Sequence, residues 1–274
     1  MTTVAVVVTT YNRPDALDRV LSAYLSQDDR DIELLVADDG STEETRGVVE
    51  RFAGRAGFPV RHVWHEDSGF RAGAIRNRAI AATGADYIVF TDGDCMPLSG
   101  FVASHRALAE RGWFVAGNRA LLSERLTRSV LQQAIRLEFW SRSDWAWAFL
   151  RRDVNRMAPL WQRGLADTIG WRRRQPARWA GAKTCNLGVW RDDLLRVNGF
   201  DETYSGWGLE DSDLVIRLLH AGVRHKNGRF GTPLAHLWHA ENDRSRLDVN
   251  RQQLDALIAS RRTRATAGLD RHAA

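Results

Sequence analysis

Two short acidic segments have the residue types that hold cations and move protons. In the first, Asp92 and Asp94 are separated by a single glycine, so both carboxylates can turn toward one hard cation. Mg²⁺ and Mn²⁺ prefer such oxygen ligands and commonly link one or two carboxylates to substrate phosphates. The ordinary alternative for so short a motif is an Asp-rich turn that binds nothing. The segment is therefore a candidate cation site, and other potential ligands nearby would strengthen this prediction.

The second acidic segment follows a Gly-Trp-Gly turn. Glu210 and Asp211 are adjacent there, and Asp213 lies two residues further on. Carboxylates are favoured at a helix N-terminus, so capping by itself is one explanation. Three acids exceed what capping needs, and two adjacent carboxylates beside Trp207 could serve as a general base and as a hydrogen-bond acceptor for a sugar. We therefore favour a catalytic role over capping.

The polar segment Asp38–Ser41 and two histidines supply further candidates. Asp39 could accept hydrogen bonds from a base N–H or a ribose hydroxyl, although Asp and Gly are also common turn residues. His236 and His239 flank a Leu-Trp pair, and a histidine can complete a metal site begun by carboxylates. With a spacing of three the two rings need not point the same way in a strand, so the choice between them stays open.

A group of arginines near the predicted third helix suits phosphate. Arg71, Arg76 and Arg78 lie there with Asn77, and a guanidinium can bind phosphate through two donors at once. An exposed basic helix face is the alternative. Nucleic acid is a less attractive partner, because the basic residues form no single run and the acidic segments would repel a polyanion.

These polar segments are positioned by a repeating pattern of strands and helices. Strands that alternate with helices of about ten residues form right-handed βαβ units and a mainly parallel sheet. Ligands bind beyond the carboxyl ends of such strands, where Thr9–Asn12, Asp38–Ser41 and Asp92–Asp94 lie. The predicted strands are Val4–Val8, Ile32–Ala37, Val60–Trp64 and Tyr87–Thr91, and the predicted helices are Ala16–Leu25, Glu43–Phe52 and Gly73–Ala82.

The pattern of the second half is less regular. The predicted helices are Ser99–Arg111, Ser123–Leu150, a short one from Arg191, Leu214–Ala221 and a basic tail helix from Asn242, with a loop over Trp161–Ala180 and a strand over Ala182–Trp190. The middle of the chain also has a cluster of tryptophans: Trp140, Trp145, Trp147, Trp161, Trp171 and Trp179. Such rings suit sugar stacking or a membrane interface, and core packing explains part of them equally well.

Composition excludes several classes of protein. The chain has 274 residues, 44% of them hydrophobic and 27% charged, with a net charge of +5 that comes almost entirely from arginine. This balance excludes a disordered or collagen-like chain. Two cysteines, Cys95 and Cys185, cannot form a disulfide framework, and neither a secretory signal nor a membrane span is evident. We expect a cytoplasmic protein, with peripheral contact at the inner face of the membrane left open.

Four motifs in this order resemble one family. They are the runs at 6–14 (Val-Val-Val-Thr-Thr-Tyr-Asn-Arg-Pro), 37–41 (Ala-Asp-Asp-Gly-Ser), 92–94 (Asp-Gly-Asp) and 207–211 (Trp-Gly-Leu-Glu-Asp). The sequence is similar to family 2 glycosyltransferases of the GT-A fold. Residues 66–70, Arg76-Asn77 and the Gly-Trp-Gly-x-Glu-Asp segment also resemble chondroitin-polymerase and β-1,4-galactosyltransferase-type domains. The resemblance spans about 4–243, but 124–178 has no clear counterpart.

The resemblance implies a single α/β domain over 1–274, with a mainly parallel central sheet flanked by helices. Its nucleotide-binding half is 1–98, its acceptor-binding and catalytic half is 99–241, and a basic helix occupies 242–274. Matching positions suggest these roles: Thr9, Tyr11, Asp39, Arg76, Asn77, Asp92 and Trp207 for the nucleotide-sugar, Asp94, Asp92, His239 and His236 for Mn²⁺ or Mg²⁺, Asp211 as general base and Glu210 for acceptor positioning.

The implied activity is an inverting, metal-dependent sugar transfer. The donor would be a nucleotide-diphospho-sugar, with UDP the expected nucleotide, and the acceptor a hydroxyl of a saccharide or lipid-linked molecule. Surface polysaccharide or glycoconjugate synthesis would be its setting. A non-catalytic carbohydrate- or lipid-binding module on the same fold is the alternative. A nucleotidyltransferase is disfavoured, because it needs a Gly-rich loop with a lysine and the sequence has none.

Overall fold

The central sheet is built around the first strand of the chain. In the computed structural model, which describes residues 2–156, 170–240 and 243–272, Val4–Thr10 is buried along its whole length. Val4, Val6 and Val8 pack into one core and Ala5 and Val7 into the other, because successive side chains of a strand point to opposite faces. This explains the unbroken apolar run, which a strand covered on both faces requires.

Ten strands lie in the described part of the chain. They are β1 Val4–Thr10, β2 Ile32–Asp38, β3 Val60–Trp64, β4 Tyr87–Asp92, β5 Cys95–Pro97, β6 Trp113–Ala116, β7 Asn118–Leu121, β8 Asn186–Trp190, β9 Arg224–Asn227 and β10 Pro233–His236. The helices are α1 Pro14–Tyr24, α2 Glu43–Ala53, α3 Ala72–Ala82, α4 Phe101–Leu108, α5 Glu124–Leu131, α6 Arg142–Leu150, α7 Arg191–Arg196, α8 Glu210–His220 and α9 Leu247–Ser260.

Seven strands form the central sheet, in the order β3-β2-β1-β4-β8-β6-β9. The pairs β3-β2, β2-β1, β1-β4 and β6-β9 are parallel, whereas β8 runs antiparallel to both of its neighbours. The expected mainly parallel α/β sheet is therefore confirmed. Strands from both expected halves of the chain share this one sheet.

A second, three-stranded sheet has the order β5-β10-β7 and lies beside the carboxyl end of β4. The chain passes from the central sheet to this small sheet at Gly117, between β6 and β7. A side chain at Gly117 would place its Cβ only 2.2 Å from Thr232 Oγ1 and 2.3 Å from Asn186 Oδ1. Only glycine allows so close an approach of the two sheets.

The structure corrects several sequence-based boundaries. The helix predicted over Ser123–Leu150 is interrupted: α5 ends at Leu131, and Ser141 caps a new helix through a reciprocal capping box with Asp144. The helix predicted over Ser99–Arg111 is shorter, because Gly100 in a left-handed conformation begins it and it ends at Leu108. Strands β5, β6, β7, β9 and β10 were not predicted, since three or four residues show no usable periodicity.

Other boundaries move in ways that matter for function. The strand predicted from Ala182 begins at Asn186, and the helix predicted from Leu214 begins at Glu210. The tail helix begins at Leu247 instead of Asn242, which lies outside the described residues. Arg262, beyond the helix, points back into the body of the protein and pairs with Asp201 at 3.2 Å. The tail is therefore not a uniformly free basic surface.

The tryptophan cluster divides into packed and exposed members. Trp145 is buried and meets Trp140 edge-on at 4.7 Å, and Trp171 packs near Phe230. Trp147 is 59% exposed. Trp179 is partly buried against the core, and Trp161 lies outside the described residues. None of the helices in the described ranges combines the length and apolar character needed to cross a membrane.

Candidate active site

Arg76 connects the elements that form the carboxyl edge of the sheet. It lies on α3 with 5% of its surface exposed, and its guanidinium faces the ring of Phe200 at 5.5 Å. The guanidinium donates to Thr9 Oγ1 at 3.0 Å and to a carboxylate oxygen of both Asp92 and Glu210 at 3.2 Å. The ends of β1 and β4 and the start of α8 therefore meet at one buried cation. Three residues expected in one site are brought together here.

The Asp92-Gly93-Asp94 turn depends on its central glycine. A Cβ at Gly93 would lie 2.8 Å from Thr10 Oγ1, and the Gly93 N–H donates to the carbonyl of Thr9 at 2.7 Å. The turn is thus pressed against the end of β1. Burial raises the pKa of Asp92, and the charge of Arg76 only partly opposes that rise.

Asp94 faces both candidate histidines. Its Oδ2 lies 3.5 Å from His236 Nε2 and 3.3 Å from His239 Nε2, and the two rings stand 5.1 Å apart. The cause is the small sheet, in which His236 on β10 pairs with Cys95, the residue after Asp94. Burial acts to raise the pKa of Asp94, but the hydrogen bond from His236 and the charges of both histidines outweigh it and lower the pKa.

This donor set fits a divalent cation. Asp94 Oδ2 lies within 3.5 Å of an Nε2 atom of each histidine, and Asp94, Cys95 and His236 have ligand atoms within 4.8 Å of one another. Carboxylate and imidazole groups are both ligands of divalent metal ions. Both candidate histidines therefore face Asp94. His239 Nδ1 lies 2.6 Å from the carbonyl of Ala240, a contact that directs the Nε2 atom toward Asp94.

Glu210 and Asp211 open helix α8 at the same edge. The turn before them is tight: Gly206, Gly208 and Leu209 all have positive φ angles of 71°, 107° and 75°. Asp211 Oδ1 accepts a hydrogen bond from Lys183 Nζ at 3.2 Å. Glu210 is 8% exposed, and its Oε2 atom has no hydrogen-bond partner within the described chain.

That unpartnered oxygen is costly in a buried position unless a ligand satisfies it. Burial and the neighbouring charge of Asp211 raise the pKa of Glu210, and Arg76 limits the rise. Arg76 holds one carboxylate oxygen of Glu210, which fixes the orientation of the side chain. The other oxygen, Oε2, is then positioned to accept a hydrogen bond from a hydroxyl group. The arrangement suits binding of a polyhydroxylated ligand beside a base.

The residues expected to bind the nucleotide-sugar differ in how far their side chains are already engaged within the protein. Both carboxylate oxygens of Asp39 are already bonded within the protein, one to His65 at 2.6 Å and one to the Arg71 backbone N–H at 2.8 Å. Tyr11 is 49% exposed and donates to Asp67 at 2.9 Å, so its ring forms an open surface. Trp207 lies under the guanidinium of Arg244 at 5.4 Å.

Two acidic or amide residues singled out in the sequence lie elsewhere. Asn77 is fully buried, and its amide bonds Phe200 backbone atoms and the Glu202 carboxylate, so the structure does not bring it to the ligand edge. Asp213 is also fully buried and pairs with Arg217 at 2.5 Å inside the fold. The third acid of the segment is thus structural, and only Glu210 and Asp211 face the site.

Sequence reasoning missed three neighbours of the site. Lys183 touches Asp211, and its only signal was its rarity, since Lys226 is the other lysine of the chain. The thiols of Cys95 and Cys185 lie within 4.8 Å of each other and of an Asp92 oxygen. Both cysteines are free and buried, and burial raises the pKa of Cys95. No spacing in the sequence relates these residues, which are ninety positions apart.

The chain is similar in sequence to known glycosyltransferases. Residues 5–178 match the family model described as Glycosyl transferase family 2, and residues 172–239 match one described as the N-terminal domain of galactosyltransferase. A validoxylamine A glucosyltransferase of Streptomyces hygroscopicus is 29% identical over 80% of this chain and 52% of its own length. A chondroitin synthase of Escherichia coli is 26% identical over 80% of this chain and 32% of its own length.

Solved structures share the fold. TarS 1-349 of S. aureus in complex with UDP-GlcNAc has a TM-score of 0.64 at 14% identity, covering 99% of this chain and 69% of that one. A mannosyltransferase of Pyrobaculum calidifontis in complex with GDP-Man and Mn²⁺ has a TM-score of 0.62 at 19% identity, covering 98% and 68%. The match covers 52% of the length of the validoxylamine A glucosyltransferase and 32% of the length of the chondroitin synthase, so this chain spans about half or less of each relative.

The fold and the edge with its acidic pair define a GT-A domain, a mainly parallel sheet with a ligand edge at the strand ends. Because the family model covers more than half of the sequence, the chain belongs to glycosyl transferase family 2.

Proposed function

We propose that the protein transfers a sugar from a nucleotide-diphospho-sugar to an acceptor hydroxyl with inversion at the anomeric carbon. The observation that carries the proposal is the pairing of a buried, half-satisfied Glu210 with Asp211 beside the Asp92-Gly93-Asp94 turn. Family membership and the nucleotide-sugar complexes of similar folds support the donor class. UDP is the nucleotide we propose, as in the TarS complex.

Each residue of the edge has a part in this reaction. Asp211 accepts the proton of the acceptor hydroxyl, whose oxygen then attacks the anomeric carbon from the face opposite the nucleotide. The bond from that carbon to the diphosphate oxygen breaks, so one displacement inverts the configuration. Glu210 holds a sugar hydroxyl through its free Oε2, and Lys183 fixes the orientation of Asp211.

Asp94, His236 and His239, with Asp92, would hold Mn²⁺ or Mg²⁺. A cation bound there would neutralise the negative charge that develops on the leaving diphosphate. Three of the five N–H donors of Arg76 bond Thr9, Asp92 and Glu210, so Arg76 positions these residues. The exposed ring of Tyr11 is available for stacking on the base. Trp207 is half-buried with Arg244 over its ring, and it would pack against a sugar at the same edge.

A peripheral membrane contact is part of the proposal. Phe139, Trp147 and Leu150 are 59–69% exposed, and Arg151 and Arg152 follow them directly. Apolar side chains beside arginines suit the surface of an anionic membrane. Sedimentation with anionic vesicles, compared for the protein and Trp147→Ser, would test this contact.

The test of the activity is the Asp211→Asn substitution. We expect transfer from a UDP-sugar to fall about a thousandfold, since a positioned base contributes on this scale. Affinity for UDP measured by calorimetry should change little, because Asp211 contacts Lys183 and not the nucleotide side. The matched control is Asp192→Asn, at an exposed carboxylate that pairs with Arg111. Near-normal transfer by Asp211→Asn would contradict the proposal.

The non-catalytic alternative is examined with the same preparations. A binding module would take up UDP-sugars and release no UDP under any condition. Release of UDP by the wild-type protein, and its loss in Asp211→Asn, excludes that alternative.

A further inference from the structure

A basic cleft lies next to the candidate active site. It has a volume of about 360 Å³ and runs between the β6-β7 corner of the sheets and the segment 178–185. Five cationic side chains line it: Arg119, Arg156, Arg178, Lys183 and Arg229. None of the described residues that line it is an aspartate or a glutamate. A concave surface with charge of one sign concentrates anions from solution.

Three of the five cations that line the cleft have no carboxylate partner in the described chain, whereas Lys183 pairs with Asp211. Among the described residues, Arg178 bonds two neutral oxygens, that of the Gln175 side chain and the Ala180 carbonyl. In the described chain Arg156 and Arg229 have no carboxylate within ion-pair distance. Three exposed guanidinium groups therefore face one cleft with their charge uncompensated, which is the arrangement expected of a site that awaits an anion.

The cleft adjoins the proposed base through one side chain. Lys183 lines the cleft and donates to Asp211, so the two sites share a side chain. Arg119 and Cys185 are also in the cleft, and Arg119 acts electrostatically on Asp92. A molecule seated in the cleft would thus present its hydroxyl groups beside Asp211, on the side where an acceptor must enter.

We propose that the acceptor is an anionic molecule, a saccharide or lipid-linked saccharide with a carboxylate or phosphate group, and that Arg178 and Arg229 bind this group in the cleft. The inference rests on the proposed glycosyltransferase function and specifies its acceptor class. Arg119 and Lys183 complete the positive lining closer to the base. Guanidinium groups can bind carboxylate or phosphate through two parallel hydrogen bonds, and such bonds are about twice as strong as neutral ones.

The experiment measures binding of matched probes in the presence of UDP and Mn²⁺. Methyl β-glucoside, methyl β-glucuronide and glucose 6-phosphate represent a neutral sugar, a carboxylate and a phosphate. Nuclear magnetic resonance titration gives the dissociation constant of each for the wild-type protein and for the double variant Arg178→Gln/Arg229→Gln. The matched control is Arg51→Gln/Arg251→Gln, at two exposed arginines of α2 and α9 that are not among the residues lining the cleft.

We expect at least one anionic probe to bind the wild-type protein about tenfold more tightly than the neutral glucoside. The Arg178→Gln/Arg229→Gln variant should lose this preference, and the control should keep it. The glucuronide and the 6-phosphate arms show which of the two anions the cleft accepts. Transfer to the preferred anionic probe should fall in the variant through a higher KM with little change in kcat.

Three results would overturn the inference. The first is equal or unmeasurable binding of both anionic probes, and the second is an equal loss in the control variant. The third is a matching loss of UDP affinity in Arg178→Gln/Arg229→Gln, which would assign the cleft to the donor. Failure of the proposed function is recognised separately, because the wild-type protein would then release no UDP from any UDP-sugar.

Discussion

The acidic edge, formed by Asp92, Asp94, Glu210 and Asp211, lies beside the basic cleft, and the two differ in how their charges are paired. At the edge, Arg76 is almost fully buried and lies 3.2 Å from a carboxylate oxygen of both Asp92 and Glu210. In the cleft, Arg178 and Arg229 are exposed and face no carboxylate of the described chain. The edge is a closed network, whereas the cleft is an open one.

The difference separates what holds the protein together from what it binds. Removing one member of a buried charge network leaves its partners desolvated and unpaired, so stability and function change together. Removing an exposed, unpaired arginine removes only its interaction with a ligand. The backbone of the cleft is held by neutral groups instead. His105 bonds the side chain of Asn186, whose amide donates to the carbonyls of Asn118 and Thr232.

The largest expected effect comes from Arg76→Met at the edge. The substitution leaves Glu210 and Asp92 without their buried cation, and we expect the free energy of unfolding to fall by about 3 kcal/mol. Arg178→Met in the cleft is the matched comparison, and its effect should stay within about 0.5 kcal/mol. Chemical denaturation of both variants measures the difference. Equal destabilisation would remove the distinction between a closed and an open network.

The next effect concerns the neutral framework under the cleft. Burial lowers the pKa of His105 from 6.5 to about 4, while the hydrogen bond to Asn186 opposes the shift. Between pH 6.5 and about pH 4, His105 is therefore protonated in the unfolded chain but neutral in the folded protein. This contribution to stability is complete above pH 6.5 and is lost as the pH falls toward 4.

We expect His105 to account for a loss of about 3 kcal/mol across that range, at 1.36 kcal/mol per pKa unit. The measurement is the free energy of unfolding as a function of pH for the wild-type protein and for His105→Gln. The variant should have a shallower slope between pH 6.5 and pH 4. The same slope in both proteins would show that His105 is not the buried neutral group described here.

The smallest effect is the response of the cleft to salt. Exposed cations are screened, and the screening length shortens from about 30 Å at 0.01 M to about 10 Å at 0.1 M ionic strength. Over this range the dissociation constant of an anionic probe should rise about threefold, and that of methyl β-glucoside should stay unchanged. A parallel rise for the neutral sugar would mean that salt acts on the fold and not on the cleft.

The first half of the fold follows closely from sequence pattern. Strand β3 was predicted with its observed ends, and β1, β2 and β4 were extended by one or two residues only. Buried parallel strands can be recognised in a sequence by their long β-branched runs, and a helix separates each of these strands from the next. The second half contains short strands of the small sheet and of the antiparallel region, which carry no comparable signal.

The site was predicted to a similar extent. Asp92, Asp94 and Glu210-Asp211 were found because carboxylates after strands and at helix starts are visible in sequence order. Asn77 was placed in the site by the family resemblance, but its side chain bonds the backbone of Phe200 instead. The cleft was not predicted at all, since its arginines come from separated segments between 119 and 229.

By itself, the sequence determined the alternation of strands and helices and the residue types at each strand end, because hydrophobic period and turn chemistry are local properties. The tertiary structure decided which of those residues act together. The pairing of β5 with β10 brought both histidines to Asp94, and the start of α8 directed Asp213 to Arg217 and Glu210 to Arg76. The same packing of two sheets left a group of arginines unpaired around a cleft. Such contacts depend on the register of distant segments, and no local spacing in the chain encodes them.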